Sequence, residues 1–131
     1  MSDDKKISYA LNQIIAPKSS FIDLINLAKS AGVLAIEIRN DIPVNLIEEN
    51  KPKIIKTLSE SNSIKILTVN ALQKFNLWNE ERLNELVELC KFSSLAGVEA
   101  IVLVPLNDGS VTDDIEQREL LGNSLKEIVK V

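Results

Sequence analysis

The hexapeptide AGVLAI at residues 31–36 returns as AGVEAI at residues 96–101. The two copies lie 65 residues apart (96 − 31 = 65), which is twice the length of a βαβ motif of roughly 30 residues. In each copy a glycine separates a run with helical periodicity from a short apolar run typical of a buried strand. The repeat therefore predicts a chain of regular β/α units.

Four such units follow one another along the chain. The predicted strands cover residues 7–11, 33–38, 64–69 and 98–104. Short connections through helices predict parallel strands in the order 1-2-3-4, with all helices on the convex side of the sheet. A (β/α)8 TIM barrel takes about 250 residues, so 131 residues predict an α/β fold that is half of such a barrel. Residues 1–131 are interpreted as a single, partial domain.

Capping residues mark where the helices begin. Ser19 or Ser20, Pro52, Asn79 and Asp113 are placed to start them. Gly32, Asn62 and Gly97 are placed to end the first three. The helix after Asn79 is expected to bury a stripe formed by Leu83, Leu86, Val87 and Cys90.

Composition and charge exclude several classes of protein. The net charge is −4 with scattered Lys and Arg, which argues against a nucleic-acid partner. The absence of His excludes His-based catalysis and His-ligated metals, and a single cysteine, Cys90, excludes an internal disulfide. No apolar run approaches the ~20 residues of a membrane span, and residues 1–6 lead into no secretion signal. We expect a soluble cytoplasmic protein with no membrane partner.

The second predicted strand carries the clearest sign of a functional site. Ile36 and Ile38 alternate with Glu37 and Arg39, so the two charged side chains share one face. The isoleucines are expected to meet the helices, which turns Glu37 and Arg39 towards the barrel axis near the end of the strand where barrel enzymes place their sites. A structural ion pair, or charges on an open edge, is the alternative interpretation.

Amide side chains follow the other strands at the same end. The candidate ligand-binding residues are Asn12, Asn70, Gln73 and Asn107. Amides offer donor and acceptor groups together, which suits a hydroxylated ligand, although Asn also favours turns and caps. Asp108 with Gly109 is better explained as a turn. Phe75 and Trp78 are explained equally well as an aromatic wall for a sugar or as packing against a helix.

Three segments together resemble a known family. They are residues 35–41 (AIEIRND), residues 69–76 (VNALQKFN) with Trp78, and residues 104–109 (VPLNDG). They resemble the xylose isomerase-like TIM barrels of the sugar phosphate isomerase/epimerase type. The resemblance keeps one register across nearly the whole chain, from about residue 10 to residue 125. The branch with inosose dehydratases and rhizopine catabolism proteins is the most similar, and the resemblance is to the N-terminal half of the barrel.

The resemblance implies a carbohydrate enzyme, an isomerase, epimerase or dehydratase, that moves a proton beside a carbonyl with a divalent metal. In the family, two Glu, an Asp and a His hold the metal on later strands, so no cofactor is expected in this chain and a metal only in a complete barrel. The resemblance leaves Glu37 as the candidate catalytic residue and a sugar or polyol as the expected ligand.

Three interpretations remain open. They are a truncated or split enzyme that is inactive alone, a half-barrel that dimerises and binds a ligand without turnover, and an unrelated α/β interaction module. Half a barrel leaves two sheet edges open. We therefore expect a homodimer that joins strand four of one copy to strand one of the other, aggregation, or a missing C-terminal half as partner.

Overall fold

A computed structural model describes residues 7–131, so the prediction made on residues 1–6 lies outside the described part. Helices and strands alternate along the chain. The strands are β1 (Leu11–Asn12), β2 (Ala35–Arg39), β3 (Lys65–Gln73) and β4 (Ala100–Val104). The helices are α1 (Phe21–Ser30), α2 (Leu46–Glu49), α3 (Pro52–Ser61), α4 (Glu80–Ala96) and α5 (Asp114–Ile128), and a 3-10 turn at Gln13–Ile15 follows β1.

The four strands form one parallel sheet in the order β1-β2-β3-β4. This order confirms the predicted α/β fold, because each strand lies beside the next one in the chain. Glu37 pairs with Asn12 on one side and with Thr68 on the other, and Thr68 pairs with Ala100. One row of residues thus crosses the sheet at the level of Glu37.

One hydrophobic core joins the helices to a single face of the sheet. Ile36, Ile38, Ile66 and Val69 are buried from the strands, together with residues of α1, α3 and α4. Ile101, Leu103, Leu121 and Ile128 extend this core under α5. The opposite, concave face carries the row of Glu37, which places the polar residues away from the helices.

The predicted helix boundaries are confirmed by the caps. The side chains of Ser20, Asn79 and Asp113 accept backbone N–H groups in the first turns of α1, α4 and α5. Gly97 ends α4 at a φ of 75°, a left-handed conformation that glycine adopts without steric cost. Pro52 is the first residue of α3.

Four details of the sequence prediction are wrong. β3 continues to Gln73, so Asn70 and Gln73, which were expected to follow the third strand, lie within it. The first strand begins at Leu11 and not at residue 7. β2 begins at Ala35 and pairs with the first strand only from Leu11 onward, so residues 7–10 have no register partner in β2. The short α2, capped by Asn45, was not predicted. The buried residues of α4 are Leu86, Leu89, Phe92, Ser93 and Ala96, so the expected stripe is rotated; Leu83 is exposed and Cys90 only half-buried.

No helix in the described range is long and apolar enough to cross a membrane.

Candidate functional site

Glu37 lies at the centre of a hydrogen-bonded row on the concave face. The Nδ2 of Asn12 donates to its Oε2 at 3.0 Å, and the Oγ1 of Thr68 donates to its Oε1 at 3.1 Å. Each carboxylate oxygen is thus fixed by a neutral donor from an adjacent strand. A carboxylate accepts about four hydrogen bonds, so each oxygen keeps room for a further donor from a ligand.

Arg39 forms an ion pair one step further towards the carboxyl ends of the strands. Its Nε and Nη2 donate to the two carboxylate oxygens of Asp41 at 2.8 and 2.6 Å. The Nε2 of Gln73 donates to the same carboxylate at 3.4 Å. The alternative interpretation, a structural ion pair, holds for Arg39 with Asp41. Glu37 is not its partner among the described residues, because Asn12 and Thr68 occupy the Glu37 carboxylate. Asp41 was not predicted as a site residue, since a pairing partner in a loop leaves no periodic signal.

The two remaining candidates are placed differently. Asn70 is half-buried and pairs in register with Arg39, so the two side chains belong to one row of the concave face. Asn107 is exposed in the loop after β4. The structure therefore brings Asn12, Glu37, Arg39 and Asn70 together, with Gln73 at the rim, and leaves Asn107 apart.

Three other amides at this end of the sheet join neighbouring strands. The Oε1 of Gln13 accepts the backbone N–H of Arg39 at 2.8 Å, and its Nε2 donates to the carbonyl of Val44 at 2.9 Å. Asn40 accepts the N–H of Ala71 at 2.7 Å and donates to its carbonyl at 3.0 Å.

The third of these amides is Asn76, which is 2% exposed and accepts the N–H of Leu106 at 2.7 Å. We call Gln13, Asn40 and Asn76 the bridging amides. Each follows a strand and accepts a backbone N–H near the end of the next strand. The position of an amide one to three residues after a strand is the only sequence signal for this role.

The aromatic residues of the loop after β3 pack inwards. Phe75 is 6% exposed and belongs to the core, and Trp78 packs against that core. Of the two interpretations of the sequence, the structure supports packing.

Asp108 belongs to a turn. Its carboxylate accepts the backbone N–H of Ser110 at 2.9 Å, and Gly109 has a φ of 77°. Hydrogen bonds from the side chain and backbone of Ser110 lower the pKa of Asp108 below its ordinary value of 3.8.

Metal ligands do not cluster in the described residues. Within residues 7–131 no group of three or more Cys, Asp or Glu side chains is placed to hold a metal ion.

A cleft of about 640 Å³ opens beside the rim, between the loop after β2 and helix α4. Asp41 and Gln73 line it on one side, and Arg82, Glu85 and Phe92 line it on the other. Asp41 thus faces both this cleft and the ion pair with Arg39.

Comparison with solved structures defines the class of fold. A xylose isomerase domain-containing protein from Salmonella typhimurium LT2 is 27% identical, with a TM-score of 0.79 over 92% of this chain and 45% of that one. The IolI protein, determined with a bound zinc atom, is 22% identical with a TM-score of 0.80 over 95% of this chain and 47% of that one. A probable 3-DHS dehydratase, AsbF from Bacillus anthracis, is 18% identical with a TM-score of 0.72 over 93% and 47%.

The chain has the fold of half of a xylose isomerase-like TIM barrel, and it spans about half the length of these proteins. No protein-family model and no curated protein matches the sequence. The similarity therefore defines the fold, which confirms the resemblance seen in the sequence.

Proposed function

We propose that this chain is the substrate-binding half of a barrel protein that acts on a sugar or polyol, of the isomerase, epimerase or dehydratase type. The observation that carries the proposal is the row of Asn12, Glu37 and Thr68 on the concave face, with Arg39 and Asn70 in the next row. TIM-barrel enzymes place their sites at this end of the strands. The names of the similar proteins, a xylose isomerase domain protein and a probable dehydratase, support the same class.

The donors and acceptors of these two rows match a pair of neighbouring hydroxyl groups. Glu37 supplies acceptor positions on both oxygens. Arg39 has five N–H donors, of which Asp41 takes two, so three remain for a ligand. Asn70 adds a donor and an acceptor beside Arg39. A hydroxyl group both donates and accepts, so a polyol can use all three residues.

The charges favour a neutral ligand over a phosphate ester. Asp41 already neutralises the guanidinium of Arg39 through a bidentate ion pair. Glu37 is paired with neutral donors and leaves its own negative charge on the concave face. An anionic ligand would have to displace Asp41 and approach Glu37, which costs binding free energy.

Glu37 is the proposed catalytic residue of this chain. Its carboxylate would take a proton from the carbon beside a ligand carbonyl, leaving the electron pair as an enolate, and would then return the proton to carbon, while Asn12 and Thr68 hold the carboxylate in place. Because both oxygens are already hydrogen-bonded, a second function is favoured by the same observation: a half-barrel that binds the polyol without turnover. Incorporation of solvent deuterium at a carbon of a keto ligand distinguishes the two, since only catalysed proton transfer beside the carbonyl forms that C–D bond, whereas hydroxyl groups exchange with the solvent unaided.

The proposal also covers the class of ligand, the partners and the location of the protein. The ligand is a small molecule of carbohydrate metabolism, and neither nucleic acid nor membrane is a partner. A cytoplasmic location is proposed from the single cysteine and the acidic composition. Any metal ligands of a complete barrel would come from a C-terminal half of different sequence.

Saturation-transfer NMR on the full 131-residue chain tests the proposed ligand. The probes are a six-carbon cyclic polyol and its monophosphate ester. We expect the polyol to bind the native chain and the ester to bind more weakly. Asp41→Asn should release Arg39 and reverse the preference. Equal binding of both probes to the native chain and to the variant would contradict the assignment of a neutral ligand.

A further inference from the structure

The outer edge of β4 has the properties of an incomplete interface. In the described range β4 pairs only with β3. Ala100 is exposed, and the other residues of the strand are half-buried and apolar. Beside the strand lies a groove of about 330 Å³ whose lining includes Ile101, Ile128 and Ser93. The Oγ of Ser93 is buried and has no hydrogen-bond partner among the described residues.

The pattern of bridging amides continues to this edge. Gln73 of β3 and Val104 of β4 are register partners, and Asn76 and Asn107 each follow three residues later. Asn107 is thus the equivalent of Asn76, which accepts a backbone N–H from the next strand. Within residues 7–131 the side chain of Asn107 has no hydrogen bond, because no strand lies beyond β4. Its position predicts a neighbouring parallel strand that offers an N–H group.

The internal repeat identifies the kind of strand that fits. Gly32 and Gly97 both have positive φ, 68° and 75°, at the start of the two repeated segments. Val33 donates to the carbonyl of Ala28, and Val98 to that of Ser93, at 2.9 Å in each case. The same geometry precedes β3, where Ser63 has a φ of 55° and Ile64 donates to the carbonyl of Ser59 at 2.9 Å. Successive β/α units are therefore built alike, and a further parallel strand of the same kind fits beside β4. Among the described strands, β1 is the other one with an open edge.

We propose that the neighbour is β1 of a second copy of this chain. Around a two-fold axis, β1 of each copy pairs with β4 of the other and closes an eight-stranded barrel, which removes both open edges at once. Two apolar residues of the 3-10 turn directly after β1 are also open to solvent: Ile14 is 52% exposed and Ile15 56%. Each copy then contributes its own row of Glu37 to one enclosed concave face.

Light scattering on the full chain tests this interface. We expect a particle of twice 14.5 kDa at micromolar concentration. Val102 pairs in register with Asn70 on the concave face, so Val102→Lys places two charges inside a closed barrel but leaves them in water on an open sheet. The variant should be a folded monomer. The matched control Ile22→Lys, on the exposed side of α1, should stay dimeric.

Cross-linking separates this interface from any other. In a Cys90→Ser background, Ile14→Cys and Asn107→Cys are combined and treated with a short bismaleimide. Within one copy β1 and β4 are three strand spacings apart, about 14 Å, so the reagent should join two chains and not one. Either single-cysteine variant should not produce this dimer.

A monomeric native chain overturns the proposal and assigns the edge to a partner of different sequence. A dimer that Val102→Lys leaves intact, or that does not cross-link, overturns it as well. Neither outcome depends on ligand binding, so failure here is distinguishable from failure of the proposed function.

Discussion

Replacing Asn40 by alanine should destabilise the chain far more than its position in a loop suggests. The side chain donates to the carbonyl of Ala71 and accepts its N–H, and Ala71 is only 3% exposed. The substitution leaves both backbone groups buried without partners. Each costs about 1–3 kcal/mol, so the free energy of unfolding should fall by about 2–6 kcal/mol. That is a large part of the ~5–15 kcal/mol by which domains are stable.

Urea denaturation at one fixed protein concentration measures this loss, because self-association would otherwise shift the midpoint. Asn40→Asp keeps the acceptor for the N–H of Ala71 and removes the donor, so its loss should be intermediate. The matched control is Asn26→Ala on the exposed side of α1, which should change stability by less than about 0.5 kcal/mol. If Asn40→Ala costs no more than this control, the bridging role is refuted.

Three further changes test other parts of the structure. Gln13→Ala should lower the free energy of unfolding by about 2–4 kcal/mol in urea denaturation, because Gln13 is fully buried and uses both its donor and its acceptor. Glu37→Gln should weaken polyol binding about tenfold or more in a titration, since hydrogen bonds to a charged group contribute about 1.5–3 kcal/mol. The free energy of unfolding should change by only about 1 kcal/mol. Unchanged affinity would exclude Glu37 from the site. Ser110→Ala should raise the pKa of Asp108 towards 3.8 in an NMR titration. Because the pKa is lowered in the folded chain, the charged carboxylate stabilises the fold at pH values above the pKa of the unfolded chain. This stabilisation is lost as the pH falls through the pKa of the folded chain. A pKa that stays low in the variant would assign the shift to another cause.

Local patterns predicted most of the fold. The alternation of Ile36 and Ile38 with Glu37 and Arg39 was sufficient to place the charges on the concave face, because a strand has a period of two. Capping residues such as Asn79 marked the helix starts, because they satisfy N–H groups within three residues.

Contacts between distant residues could not be predicted in the same way. Gln13 meets Arg39 and Val44 across 26 and 31 residues, and no periodicity in either segment encodes that meeting. The length of β1 also depends on where β2 begins, which a strand's own sequence does not contain. The partner of Arg39 is a loop residue, Asp41, whose side chain could equally have served as a turn former.

Chemical-shift mapping of the full chain with a neutral cyclic polyol tests the central claim most directly. The claim is that the concave face holds a hydroxylated ligand between Glu37, Arg39 and Asn70. We expect the amide shifts to concentrate at these three residues and at Asn12 and Thr68, with little change on the outer faces of the helices. Shifts confined to the cleft beside α4, or no shifts at a saturating concentration of polyol, would contradict the claim.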